Sequence, residues 1–285
     1  MAVTWRSVLA SGREQLGPAR THEAKWLVER ASGLDGTDLL MRLDDCVASR
    51  HLAYFDQMLA RRKSGEPLQY VLGRWAFRGL DLLVDPRVLI PRPETEVVAG
   101  LAIAALSDWP NDARRALDLG TGSGAIGLSL AAEVPGAQVW MTDRSSEALA
   151  VARANLAGLG GRAATRVALL ESDWFSAVPA DLVQSFSVIV SNPPYVHDSA
   201  SLPEEVVGWE PASALFSGPD GTDALRHLIA TAPGWLVAGG TLVLELSPEQ
   251  GPSMAALALG AGYHDVRIES DLTGRARALV ARRPA

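Results

Sequence analysis

The chain has almost no cysteine, no excess of positive charge and no long apolar run, and each absence narrows its class. Cys46 is the only cysteine in 285 residues. That excludes an intramolecular disulfide and a cysteine-cluster metal site, and it suits a reducing cytoplasm. The formal net charge is −7, which argues against a chain built mainly to coat nucleic acid. The short basic run Arg61-Arg62-Lys63 reads as the solvated end of a helix. The most apolar stretch, Val97 to Leu106, is too short to cross a bilayer. Residues 1–20 carry Arg6, Arg13 and Glu14 with no continuous apolar core, so no signal peptide is expected. No internal repeat or low-complexity segment is present, and no histidine/carboxylate cluster suggests a metal. What remains is an ordinary globular composition, 48% hydrophobic and 21% charged. The length suits one large domain or two ordinary ones.

The first part of the chain, residues 1–64, reads as a small helical bundle. Apolar residues recur at three and four positions: Trp5, Val8 and Leu9; Ala24, Leu27, Val28 and Ala31; Leu52, Phe55, Met58 and Leu59. Thr21 is the expected N-cap of the second helix and Gly33 its stop. Residues 65–90 change character. Tyr70 to Gly73 and Leu80 to Val84 read as two short strands of a β-hairpin linker. From residue 91 a third region begins. Pro91 and Pro93 fix an extended segment, and Glu94 opens a helix that runs to about Leu106.

From Ala113 on, strands and helices alternate. Strands are expected at 116–119, 138–142, 165–170, 186–190 and 241–246, with two more near 266–269 and 276–281. Helices are expected at 125–133, 146–156, 222–237 and 250–259. Such alternation implies an α/β fold, a mostly parallel sheet covered by helices on both faces.

Two motifs carry the chemistry. Asp118-Leu119-Gly120-Thr121-Gly122-Ser123-Gly124 joins a strand to a helix. Glycines there allow the backbone to approach a ligand closely. Gly122-x-Gly124-x-x-Gly127 also fits a dinucleotide fingerprint, so a dehydrogenase is one reading. Asp143 ends the next strand, where a carboxylate accepts hydrogen bonds from a ribose. It does not discriminate, because NAD and S-adenosylmethionine both carry a ribose.

The discriminating motif is Asn192-Pro193-Pro194-Tyr195, after the strand Phe186 to Ser191. A hydride-transfer enzyme has no evident use for it, whereas methylation of a planar nitrogen does. An amide nitrogen is a poor nucleophile because its lone pair is delocalised. Acceptors on both its N–H groups aim the lone pair and stabilise the growing positive charge. The Asn192 side-chain oxygen and the Pro193 carbonyl suit that task. The two prolines stiffen the loop, and Tyr195 offers a surface for a planar group. No strong general base is needed, since the proton can leave after transfer. Trp174 is expected beside the adenine and Asp173 as an acceptor for its amino group. His197 reads as a loop residue without a catalytic part.

With these residues in hand, the chain resembles the peptide chain release factor glutamine methyltransferases, the HemK/PrmC family. The resemblance rests on Gly65 to Gly73, Leu89 to Glu96, Asp118 to Gly124, Ser172 to Phe175, Ser191 to Tyr195, Glu210-Pro211 and Asp271 to Arg275. It implies a helical bundle and a hairpin linker ahead of a Rossmann-like S-adenosylmethionine-dependent methyltransferase domain (91–285) with a seven-stranded sheet. It also implies cofactor binding by Gly120, Thr121, Gly122, Ser123, Gly124, Asp143, Trp174 and Asn192. Asn192, Pro193, Pro194 and Tyr195 would hold the substrate, with Asn192, Pro193 and Tyr195 as the catalytic set. The implied substrate is the glutamine of a Gly-Gly-Gln motif in class I release factors, methylated at N5 with release of S-adenosylhomocysteine. A cytoplasmic monomer with no metal, no membrane and no direct nucleic-acid partner is expected. The rivals are a ribosomal-protein glutamine methyltransferase, a nucleic-acid adenine methyltransferase, which would flip its target base, and a non-catalytic adaptor. The chain departs from the family at Ser247, where glycine is usual, and at Trp75-Ala76-Phe77-Arg78.

Overall fold

A computed structural model describes residues 2–285, the Arg162 side chain excepted. The chain divides into two units. One comprises residues up to Arg74 together with Glu204–Trp209, and the other comprises Trp75–Pro203 and Glu210–Ala285.

The first unit is helical: α1 (Trp5–Leu16), α2 (Glu23–Ser32), α3 (Gly36–Met41), α4 (Ser49–Lys63) and α5 (Leu68–Leu72). Thr4 and Ser7 form a reciprocal capping box that starts α1. Thr21 does not cap α2. His22 holds that position without a side-chain bond, and Gly33 ends the helix in the left-handed conformation. Trp5, Leu27, Val28, Phe55, Met58 and Leu59 meet in one core, so the three- and four-residue spacing did mark the inward faces.

Two further expectations fail here for physical reasons. Tyr70 to Leu72 is a turn of helix, not a strand. Pro67 precedes it and Gly73 closes it at φ 69°, donating to the carbonyls of Gln69 and Tyr70. All three residues are buried, and a short apolar run has no period that separates helix from strand. The hairpin lies further on, at β1 (Arg74–Phe77) and β2 (Leu80–Leu83).

The second failure is Arg62, which is 4% exposed rather than solvated. Its guanidinium forks onto Glu23 at 2.5 and 2.9 Å. It also reaches the Glu66 carbonyl at 2.9 Å and Glu205 at 3.0 Å. Arg20 holds the same Glu205 at 2.5 Å. Three acceptors brought in by other elements therefore replace the water that this basic run would otherwise hold.

In the second unit the elements are α6 (Thr95–Ser107), β3 (Arg115–Leu119), α7 (Ala125–Glu133), β4 (Gln138–Asp143), α8 (Ser146–Leu159), α9 (Gly161–Ala164), β5 (Val167–Glu171) and β6 (Phe186–Ser191). After α10 (Glu204–Val207), which belongs to the first unit, come α11 (Asp223–Thr231), β7 (Leu236–Glu245), α12 (Gly251–Gly260), β8 (His264–Ser270) and β9 (Ala276–Arg282). α11 is shorter than its pattern suggested, because Pro233 and Gly234 break it and β7 begins at Leu236. Among the described residues seven strands form one sheet, in the order β5-β4-β3-β6-β7-β9-β8. Only β9 runs antiparallel to its neighbours β7 and β8. The central strands β3 and β6 are buried along almost their whole length, as a sheet covered on both faces requires.

Replacing Arg62 by alanine strands the buried Glu23 carboxylate. We expect Arg62→Ala to destabilise the protein by about 3–5 kcal/mol, read as a lower urea midpoint. A loss below about 1 kcal/mol would show that Glu23 is resolvated and the ion pair is dispensable.

Candidate active site

β3 sits at the point where the chain reverses its direction across the sheet. The chain lays β4 and β5 on one side of it and β6 and β7 on the other. Leu119 is in register with Thr142 on β4 and with Ser191 on β6. Gly120, Asp143 and Asn192 therefore leave the sheet at one level, at the carboxyl ends of adjacent strands, where open α/β sheets bind ligands. The Ser191 hydroxyl ties the level together by donating to the Leu119 carbonyl at 2.6 Å. The Thr121 N–H does so from the other side, to the Thr142 carbonyl at 2.8 Å.

A cavity of about 370 Å³ opens at this level, within the range of small-molecule sites. Gly120, Thr121, Gly122, Ser123, Asp143, Trp174, Asn192 and Pro194 line it. Gly124, Pro193 and Tyr195 are not part of that lining. Gly124 is required where it is. Its φ is 88°, and a Cβ there would meet Leu128 and Met141 at 2.9 Å.

The acids differ in state. Asp143 accepts from the Gly122 N–H at 2.9 Å with one oxygen and from the Ser145 N–H at 2.9 Å with the other. Each oxygen keeps lone pairs for a ligand hydroxyl. Asp118 is fully buried and lines the same cavity. Its Oδ2 accepts from the Thr121 hydroxyl at 2.6 Å and from the Gly127 N–H at 2.9 Å. Its Oδ1 has no partner among the described residues. Burial pushes its pKa up to about 6 against the pull of those two donors, with the Asp143 charge adding to the rise. A desolvated carboxylate with one unpartnered oxygen at a cavity wall is a candidate acceptor for a ligand donor. Asp118 opens the glycine turn in the sequence, but no role attached to it there.

Trp174 is held at φ 51°, a strained value for a bulky side chain. The Ser172 hydroxyl secures that turn, donating to the Trp174 carbonyl at 2.8 Å and accepting from the Ala177 N–H at 2.9 Å. The indole lies over Gly120, where an added Cβ would sit 3.7 Å from it. Asn155 joins the hairpin to the turn, bonding both the N–H and the carbonyl of Leu83 and donating to the Ser123 carbonyl at 2.8 Å. Glu210, 5% exposed, braces the cavity wall by accepting from Arg92 at 2.5 Å and from the Ile90 N–H at 3.3 Å.

The loop after β6 is pinned from below. Gln250 donates to the Tyr195 carbonyl at 3.0 Å and to the Gly221 carbonyl at 3.1 Å. Gly221 has φ 73°, and a Cβ there would lie 2.4 Å from the Tyr195 carbonyl oxygen. Ser247 forms a reciprocal capping box with Gln250 at φ −76°, a conformation that needs no glycine. The Tyr195 ring packs into the core beneath the site and its hydroxyl donates to Glu245 at 3.2 Å. Asn192 donates its amide N–H to the Thr95 hydroxyl at 3.3 Å. His197 is exposed, and its ring bonds the neighbouring Ser199 hydroxyl. No group of three or more metal-ligating side chains occurs among the described residues.

Known proteins with related sequences agree with this architecture. The family model for the PrmC N-terminal domain matches residues 7–73, and the methyltransferase small domain matches residues 100–208. A release factor glutamine methyltransferase of Burkholderia pseudomallei (strain K96243) is 39% identical over 271 residues, 94% of this chain and 93% of the relative. One of Escherichia coli (strain K12) is 36% identical over 269 residues, 94% of each. A methyltransferase from Pyrococcus furiosus superposes with a TM-score of 0.51 at 20% identity, over 84% of this chain and all of that one, a likeness of fold alone.

Removing the Gln250 side chain frees the Tyr195 carbonyl and unpins the loop. In Gln250→Ala, amide hydrogen exchange across residues 192–197 is expected to accelerate while residues 118–128 keep their protection. Unchanged exchange in 192–197 would mean that the prolines alone hold the loop.

Proposed function

The chain belongs to the release factor glutamine methyltransferase family, and from that membership we propose that its cavity binds S-adenosylmethionine and a glutamine side chain together. The acceptor is the amide nitrogen N5 of the glutamine in a Gly-Gly-Gln motif of class I release factors. The observation that carries the reading is the shared register of Leu119, which opens the glycine turn, Asp143 and Asn192 onto one cavity.

The residues suit that ligand. Asp143 would accept from the ribose hydroxyls, Trp174 would cover the adenine, and the unpartnered Asp118 Oδ1 would take the ammonium of the methionine arm. When bound, S-adenosylmethionine supplies a methyl group made electrophilic by a sulfonium. Asn192 Oδ1 and the Pro193 carbonyl accept the two N–H bonds of the glutamine amide, hold its nitrogen toward the methyl group and stabilise the charge that develops there. Pro193 and Pro194 keep those acceptors in place. Tyr195 serves from behind the site, as a strut. No general base is called for, because the methylated amide is strongly acidic until it loses its proton to solvent.

The helical residues 1–64 are assigned to release factor recognition and residues 65–90 to a linker. Leu40 and Met41 support the first assignment, being large apolar side chains left exposed on α3. No described helix is long and apolar enough to cross a membrane. We place the enzyme in the cytoplasm, consistent with its single free cysteine, and take it to act as a monomer.

The test is a methyl-transfer assay with labelled S-adenosylmethionine and purified class I release factor, with the ribosomal-protein candidate and DNA as competitors and mass mapping of the labelled peptide. Label on the Gly-Gly-Gln glutamine is the expected result. Label on a ribosomal protein or an adenine would overturn the target. Asn192→Ala should lower kcat by about a hundredfold or more with cofactor affinity kept, and near-normal turnover would remove Asn192 from the chemistry.

A pH dependence follows from Asp118. Its pKa stands raised to about 6 by burial, and a bound ammonium favours the ionised form. Cofactor binding is thus coupled to proton loss. Affinity measured by calorimetry should be flat above about pH 7 and fall as the pH drops through 6, and Asp118→Asn should abolish the slope. A pH-independent affinity in the wild type would show that the ammonium sits elsewhere.

A further inference from the structure

The stretch Asp271 to Arg275 carried part of the resemblance but has no part in the methyl transfer. It forms the turn between β8 and β9. Because β9 runs antiparallel to β7, it begins where the parallel strands end. The register fixes its level. Ser191 on β6 pairs with Leu244 on β7, and Leu244 pairs with Leu279 on β9. The turn therefore stands a few residues beyond the level at which Asn192 leaves the sheet, at the same carboxyl end. Two strand spacings, roughly 10 Å, separate β9 from β6. The base of the hairpin is also tied to the loop after β6. Glu245, which takes the Tyr195 hydroxyl at 3.2 Å, is level with Ala278, and the Leu246 N–H donates to the Arg277 carbonyl at 2.9 Å.

The turn is rigidly built. Asp271 is 7% exposed. Its Oδ1 accepts from the Thr273 hydroxyl at 2.6 Å, the Thr273 N–H at 2.9 Å and the Arg275 N–H at 3.1 Å. Its Oδ2 meets the Arg277 guanidinium at 3.4 Å. The Asp271 N–H donates to the Arg275 carbonyl at 2.8 Å, and Gly274, at φ 82°, donates to the Asp271 carbonyl at 2.9 Å. These bonds fix the backbone and leave the Leu272 side chain outside. It is 97% exposed, the most exposed large apolar side chain among the described residues. Nothing in the turn requires a leucine there, since small polar residues suit such positions. A side chain held out on a backbone that is already fixed loses less freedom when a partner covers it.

Resting on the glutamine-methylation reading, we propose that Leu272 is a docking knob for the body of the release factor. An apolar depression on that protein receives it, with a carboxylate at the rim for Arg275. The occupant follows from the placement. A glutamine that reaches Asn192 enters from the carboxyl end of the sheet. The protein that carries it therefore covers that end and meets what projects beyond the strands there. Leu272 supplies the apolar centre of the contact. Arg275, exposed three residues on, puts a cation at its edge, as charged groups border the buried centre of protein interfaces. The knob acts on recognition alone, because it lies outside the cavity and touches no reacting atom. It favours the intact protein over a peptide just long enough to fill the cavity.

The experiment compares Leu272→Ala, Leu272→Asp, Leu272→Met and Arg275→Glu with the wild type on intact class I release factor. Burial of a leucine changes affinity by about tenfold to a hundredfold. KM for the release factor is therefore expected to rise by about tenfold in Leu272→Ala and further in Leu272→Asp. The rate at saturation, the affinity for S-adenosylmethionine and the melting temperature should stay at wild-type values, since the side chain packs on nothing in its own fold. Leu272→Met keeps an apolar side chain and should recover most of the loss. Arg275→Glu should raise KM by an amount that shrinks as salt is added. Wild-type KM in both Leu272→Ala and Leu272→Asp overturns the knob, and so does an equal rise in Leu272→Met and Leu272→Asp. Wild-type KM in Arg275→Glu overturns the part given to that cation. If Leu272→Asp splits a wild-type dimer in sedimentation and leaves KM unchanged, the occupant is a second copy of this chain and the proposal falls. A wild type that leaves the release factor unmethylated is seen before any variant is made, and it overturns the acceptor on which the knob rests.

Discussion

Everything at the site depends on the parallel registration of β3 between β4 and β6. Because Leu119 is level with both Thr142 and Ser191, three loops that are far apart in the chain begin at one height. A slip of one residue in either pair would turn every side chain of that strand to the other face of the sheet. It would bury Asp143 or Asn192 against a helix. Polar contacts at the strand ends hold the register, the Ser191 hydroxyl on the Leu119 carbonyl and the Thr121 N–H on the Thr142 carbonyl. The fold energy that holds the sheet together is therefore the same energy that assembles the cavity.

Around that frame the site concentrates polar groups in poorly solvated positions. Asp118 and Glu245 are buried carboxylates, both with raised pKa values and each with one oxygen unpartnered. In a chain selected only for stability such groups are costly. Here one borders the cavity, and the other takes the hydroxyl of Tyr195, in the loop that follows β6. Prolines 193 and 194, the left-handed glycines and the Gln250 clamp keep the acceptors rigid, so little reorganisation accompanies the reaction.

Much of this was legible from the chain, and what was not has identifiable causes. Periodicity revealed the inward faces of α1, α2 and α4, and alternation revealed the α/β sheet, because burial of those faces leaves a local trace. The glycine turn, Asp143 and Asn192 were legible because each ends a strand in an α/β sheet. Tyr70 to Leu72 was misread because three consecutive buried residues carry no period. The buried Arg62 was misread because its acids, Glu23 and Glu205, lie 39 and 143 residues away. Asn155 and Gln250 escaped notice for the same reason, and Thr95 and Glu210 were seen only as parts of stretches that carried the resemblance. Each has an ordinary local context and acquires its meaning only from a partner brought by the fold. Such partners are set by topology, and spacing along the chain does not report them.

The most direct measurement is a crystal structure of the chain with S-adenosylhomocysteine and a release factor bound. The glutamine amide nitrogen should lie within hydrogen-bond distance of Asn192 Oδ1 and the Pro193 carbonyl, with the cofactor sulfur in line beyond it. A glutamine bound away from Asn192, or a cofactor seated outside the cavity between Gly120, Asp143 and Trp174, would contradict the shared-cavity mechanism at its root.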